Sequence, residues 1–129
     1  MVKDEGKSGP ATVGIVVSDD AVRDSIRILL ESHGMGVAAF SSADSALSAP
    51  AAGFVCWVVD QQVTGINGLE LVEKLRARGD LTPAILMAAQ PEAGLERRIS
   101  GANTLALLIK PIQQNELIAW IHHAIRNSR

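Results

Sequence analysis

Five apolar runs, each followed by a helix-like stretch over a short link, predict an α/β fold. The expected form is a doubly wound, five-stranded parallel sheet, (βα)5, with helices on both faces and right-handed crossovers. Three observations carry this reading. Strand-like and helix-like segments alternate without a break, in the order βαβαβαβαβα. The central run, Phe54 to Val59, is six apolar residues long, too short to cross a membrane and suited to a strand covered on both faces. That run ends on Asp60. In the simplest doubly wound order, 2-1-3-4-5, strands one and three are neighbours with the switch point between them.

Taken in order, Thr12–Val17 is a short, β-branched-rich first strand. It ends at Ser18-Asp19-Asp20. Val22, Ile26, Leu29 and Leu30 then follow helical spacing, with Asp20 as cap and Gly34 as stop. Gly36–Phe40 is a second, weaker strand. Ser41 to Asp44 has capping-box spacing and starts a short helix through Leu47. Pro50–Gly53 is a turn. The central strand runs to Asp60, and after a polar loop the stretch from Leu69 forms an amphipathic helix closing at Gly79. Pro83–Ala88 is the fourth strand. Pro91 and Glu92 start a helix whose inner face is Leu95 and Ile99, before Gly101. Leu105–Ile109 is the fifth strand and runs into Lys110-Pro111, where proline disfavours helical geometry in its predecessor. The last helix spans Gln114–Arg126, with Leu117, Ile118, Ile121 and Ile125 on one stripe.

Composition bounds the function. The 129 residues suit one domain, expected over 12–127 behind a flexible, polar N-terminal tail at 1–11 that is not a signal peptide. Net charge is −2, which gives no basic footprint for nucleic acid. Tyrosine is absent, so stacking platforms for bases are not expected either. The single cysteine, Cys56, sits inside the apolar central strand and reads as a small core residue. A lone cysteine forms no internal disulfide, which points to a reducing, cytoplasmic setting. No membrane attachment is expected, the central apolar run being too short to span a membrane.

Asp19 and Asp60 end the two strands that flank the switch point, where ligands of open α/β sheets bind. At this point the chain resembles the receiver domain of bacterial response regulators, across about residues 12–127. The residues that carry the resemblance are Ser18-Asp19-Asp20 after strand one, Asp60 at the end of strand three, Gly68-Leu-Glu-Leu71 opening the next helix, and Lys110-Pro111 after strand five. The resemblance implies a flavodoxin-like receiver fold and a signalling acceptor rather than an enzyme. Asp60 would accept a phosphoryl group from a phosphohistidine on a sensor histidine kinase or phosphotransfer protein. Asp19, Asp60 and the main-chain carbonyl of Gln62 would hold Mg2+ (or Mn2+). Lys110 would pair first with Asp60 and then with the phosphoryl group.

The chemistry is coherent on its own terms. Two carboxylates about 5 Å apart repel by about 3 kcal/mol at an effective dielectric near 20, so a cation must offset them. A phosphoryl group adds a further charge of about −1.5 to −2. A hard divalent ion takes oxygen ligands and keeps waters. It also neutralises charge during in-line transfer. A carboxylate nucleophile yields an acyl phosphate. Lysine is a flexible point charge that can follow the phosphate.

Several positions depart from the family pattern. Two adjacent acids usually follow the first strand; here Ser18 takes the first place and Asp19 the second, and the link to Arg23 is one residue short. Val17 abutting Ser18 favours this register. If the strand ended one residue later, Asp19 and Asp20 would be the pair, with Asp20 a metal ligand. Loss of one carboxylate is expected to weaken metal binding without abolishing it. The fourth strand ends in Ala88 rather than a hydroxyl residue, and Thr82 lies at its other end. Leu107 stands where a Tyr or Phe is usual, and Val63-Thr64 replaces Met-Pro. These departures raise a second reading, a degenerate receiver that acts as a phosphorylation-independent interaction module. A flavodoxin-like FMN protein would share the topology. It lacks support here, because no phosphate loop rich in Ser, Thr or Gly follows strand one. No output segment follows Arg129, which leaves open a single-domain receiver or a chain cut at a linker.

Plainer roles suit the other residues. His122 and His123 are adjacent on a helix, diverge by about 100°, and cannot form an i, i+4 metal pair. His33 faces a helix end or water. Glu70 and Lys74 form an i, i+4 pair. Trp120 lies off the centre of the last helix's apolar stripe. It is a candidate contact for a homodimer or output partner on the face made by helix four, strand five and helix five, or else a core-edge residue.

Overall fold

The computed structural model describes residues 11–49 and 53–127. The expected tail therefore lies outside the described residues except for Ala11, and the expected Pro50–Gly53 turn does so except for Gly53. The elements are β1 (Thr12–Val16), α1 (Asp20–Ser32), β2 (Gly36–Phe40), α2 (Ala43–Ser48), β3 (Cys56–Asp60), α3 (Gly68–Ala77), β4 (Ala84–Ala88), α4 (Leu95–Gly101), β5 (Ala106–Ile109) and α5 (Gln114–Arg126). The five strands form one parallel sheet in the order β2-β1-β3-β4-β5, as the alternating pattern predicts.

The sheet divides the core in two, because successive residues of a strand face opposite sides. Ile15, Val58, Ile85 and Met87 pack with Ile26 and Leu30 of α1 and Leu117 and Ile121 of α5. Val16, Val59 and Leu86 pack on the other side with Leu69, Leu71, Val72 and Leu75 of α3 and Leu95 of α4. β3 and β4 are buried along their whole length, which explains why both read as unbroken apolar runs. Cys56 is among those core residues, and burial pushes its thiol up to about 12. No helix among the described residues is long and apolar enough to cross a membrane.

Four local expectations need correction. Asp19, not Asp20, caps α1: its carboxylate accepts the Val22 N–H at 3.0 Å, and Asp20 is already helical. The α2 capping box is Ser42 with Ser45, one residue later than the Ser41–Asp44 spacing suggested. Helix α4 does not start at Pro91; Gly94 adopts a left-handed φ of +78°, and the helix follows it from Leu95. Glu70 does not reach toward Lys74 but turns back to the Asn67 N–H, completing a capping box.

Candidate functional site

The carboxyl edge of the sheet collects the charged residues. Asp60 is the last residue of β3 and pairs in register with Met87 of β4. Ala88 pairs with Ile109 of β5, so Lys110 emerges one residue beyond, next to Asp60. The Lys110 Nζ donates to Asp60 Oδ2 at 2.8 Å. The Gln62 N–H donates to Asp60 Oδ1 at 3.1 Å. The Asp60 side chain is 7% exposed and that of Lys110 33%. The acid is thus nearly enclosed, with its cation reaching in from the rim.

The floor behind Asp60 is made by the start of α3. Gln61 is buried, and its Oε1 accepts the Leu69 N–H at 2.8 Å, one of the donors a helix start leaves unpaired. The Gly68 N–H donates to the Gln61 carbonyl at 3.0 Å. A Cβ on Gly68 would lie 2.6 Å from the Asp60 carbonyl oxygen and 2.9 Å from Gln61 Cα. Only glycine lets the helix approach this closely, which gives a steric reason for the residue in the Gly68-Leu-Glu-Leu71 motif.

Asp19 sits at the same edge. β1 pairs with β3 through Val16 and Val59, so residues 17–20 leave the sheet beside Asp60. Asp19 is exposed, and one of its carboxylate oxygens caps α1. Asp20 is turned outward, 86% exposed, and paired with Arg23. Gln62 is exposed, with its N–H committed to Asp60. Among the described residues no three His, Cys, Asp or Glu side chains assemble into a metal-binding group. The oxygen groups near this edge that could hold a metal ion are the carboxylates of Asp60 and Asp19 and the carbonyl of Gln62. Such a set suits an ion that keeps several waters.

The departures from the family pattern have visible consequences. Ser18 Oγ donates to the Ser41 carbonyl at 3.0 Å and accepts from Thr64 N–H at 2.7 Å and Thr64 Oγ1 at 2.9 Å. Ala88 is buried and carries no hydroxyl toward the pocket. Leu107 is half-buried against the α3 side of the core. Trp120 is half-buried, packed at the margin of the α1–α5 core and edge-on to the ring of His123 at 5.7 Å.

A second polar cluster, at the opposite end of the sheet, escaped the sequence reading. Asp80 accepts from Trp57 Nε1 at 3.3 Å and Thr82 N–H at 3.0 Å, and Arg76 donates to the carbonyls of Asp80, Thr82 and Ala102. Burial alone would raise the Asp80 carboxyl, but the Thr82 and Trp57 hydrogen bonds and the Arg76 charge together hold it below its ordinary value. The motif Arg76-Ala-Arg-Gly-Asp80 closing α3 was the available signal.

The family model for the response regulator receiver domain matches residues 13–122. The chain is 34% identical over 115 residues to the transcriptional regulatory protein FixJ of Bradyrhizobium diazoefficiens, covering 88% of this chain and 56% of that protein. It is 31% identical over 125 residues to the transcriptional regulatory protein TdiR of Thauera aromatica, covering 95% of this chain and 55% of that one. The chain thus spans little more than half the length of these curated relatives. Full-length FixJ from B. japonicum superposes with a TM-score of 0.83 at 31% identity, over 92% of this chain and 59% of that one. The Francisella response regulator 1452 receiver domain superposes with a TM-score of 0.86 over 94% of this chain and all of that one; at 20% identity it speaks to the fold alone. With its parallel 2-1-3-4-5 sheet and this match over most of its length, the chain belongs to the response regulator receiver domain family.

Proposed function

We propose that the domain accepts a phosphoryl group on Asp60 from a sensor histidine kinase or phosphotransfer protein. The observation that carries this is the nearly enclosed Asp60 carboxylate held by Lys110 at 2.8 Å. The Asp60 oxygen forms the new P–O bond as the P–N bond of the partner's phosphohistidine breaks, and the phosphoryl charge passes to the protein. Lys110 then shifts from carboxylate to phosphoryl oxygen; at 33% exposure it has room to do so. The Gln62 N–H steadies the second Asp60 oxygen. Asp60, Asp19 and the Gln62 carbonyl are the residues that would hold Mg2+ or Mn2+. The bound ion supplies charge neutralisation during in-line transfer. The product is a covalent acyl phosphate that serves as a signal, not a turned-over substrate.

The test is incubation with a small phosphodonor and Mg2+, followed by intact mass. Gain of one phosphoryl group that is lost in EDTA and in Asp60→Asn is the expected result. An unchanged mass sinks the reading.

A second reading has its own observation. Ser18 spends its hydroxyl on Thr64 and Ser41, and Ala88 offers none to a phosphoryl group. These favour an interaction module whose partner binding is indifferent to Asp60, with the half-buried Trp120 on the α4–β5–α5 face as the contact for an output partner or second copy. Unchanged partner binding by Asp60→Asn would favour it over phosphotransfer.

A further inference from the structure

We infer that Ser18 and Thr64 form a clamp that fixes the β3–α3 loop beside Asp60 without a divalent ion. Ser18 and Thr64 are two of the departures from the family pattern, 46 residues apart in sequence, and they face each other in space. A serine hydroxyl has one donor and two acceptor sites. All three are used: the donor on Ser41, both acceptors on Thr64. Ser18 is therefore no substitute ligand for the missing carboxylate.

Thr64 is equally committed. Its N–H and Oγ1 go to Ser18, and its carbonyl accepts the Ala43 N–H at 3.4 Å in a bridge between residues 42 and 64. A proline at this place has no N–H and could not make the 2.7 Å bond. Serine at 18 and a non-proline residue at 64 thus work only together. The anchor itself is held, because Arg23 donates to the Val17 carbonyl at 2.8 Å.

The clamp joins three loops: β1–α1 through Ser18, β2–α2 through Ser41, with Ala43 at the first turn of α2, and β3–α3 through Thr64. Gln62 lies between two fixed points, its own N–H on Asp60 and Thr64 on Ser18. Its carbonyl is positioned by hydrogen bonds within the protein, one to the Asp60 carboxylate and two between neutral groups, so the loop is ordered before any ion binds. The Ser18 bonds to Thr64 and Ser41 do not involve Asp60, so the clamp stands whether or not Asp60 takes a phosphoryl group.

Residue-resolved amide exchange tests the clamp. In wild-type protein the Thr64 amide should already be protected in EDTA, before any Mg2+ is added. Ser18→Ala should speed exchange at residues 62–65 on the order of 10-fold, the loss of about one net hydrogen bond. Exchange at β3 amides such as Val58 should be affected far less. Thr64→Val, which keeps the N–H, should give a smaller acceleration, and the double variant no more than Ser18→Ala. Equal loop exchange in wild type and Ser18→Ala overturns the clamp. So does wild-type protection that appears only with Mg2+, or acceleration spread uniformly over β3. If Ser18→Ala does not fold, the Thr64→Val comparison alone decides.

Discussion

Lys110→Met removes the cation from the pocket and keeps most of its apolar stem. At 2.8 Å the gross attraction is about 6 kcal/mol at an effective dielectric near 20, much of it offset by the cost of desolvating the two ions. Stranding one partner of a fully buried pair costs about 3–5 kcal/mol. Here the cation is one-third exposed, and Asp60 keeps the Gln62 N–H, so screening and that remaining bond reduce the loss. The expected destabilisation is about 1.5–3 kcal/mol, the range of a hydrogen bond to a charged group. Asp60→Asn works the other way round. It strands Lys110, which can turn to water, and should cost less than about 1 kcal/mol. The double variant should fall near Asp60→Asn and well short of the sum. Urea unfolding at neutral pH, read by circular dichroism, measures all three with an unchanged m-value. Equal costs for the two single variants, or a larger cost for Asp60→Asn, would refute the picture of an enclosed acid and a rim cation.

Other expectations follow from single contacts. Gly68→Ala should destabilise by about 1–3 kcal/mol in chemical denaturation, because the 2.6 Å and 2.9 Å neighbours are backbone atoms that cannot step aside. Cys56 should resist thiol reagents at pH 8 in the native state and react fully in denaturant, since burial pushes its thiol up to about 12. Asp80 is held below its ordinary value of 3.8, so its contribution is complete above that pH and drains away as pH falls through the lowered folded value. The stability gap between wild type and Asp80→Asn should therefore narrow from pH 5 toward pH 3; a gap that widens on acidification contradicts the sign.

The sheet was legible because its three central strands, β1, β3 and β4, are largely buried and read as compact apolar runs, and the full extent of α5 followed from a clear apolar stripe. Helix starts were less so. Asp19 and Asp20 are both competent caps, and only the position of Val22 N–H decides between them. At α4 the left-handed Gly94 outweighed the helix-start signal of Pro91. Strand order places Asp60 and Lys110 at one edge of the parallel sheet, but their pairing was implied by the family resemblance. Ser18 was recognisable as a departure, but its partner was not. Hydrogen bonds across 46 residues leave no local pattern in sequence. The Trp57–Asp80 bond was hidden for the same reason, at a separation of 23.

The most direct measurement locates the phosphoryl group. The protein is treated with a small phosphodonor and Mg2+, reduced with borohydride, which converts an aspartyl phosphate to homoserine, and mapped by peptide mass spectrometry. Conversion at residue 60 and at no other acid, lost in Asp60→Asn and diminished in Lys110→Met, is the result expected of an acceptor carboxylate served by that lysine. Conversion at Asp19 or Asp20 instead, or none at residue 60, would contradict it.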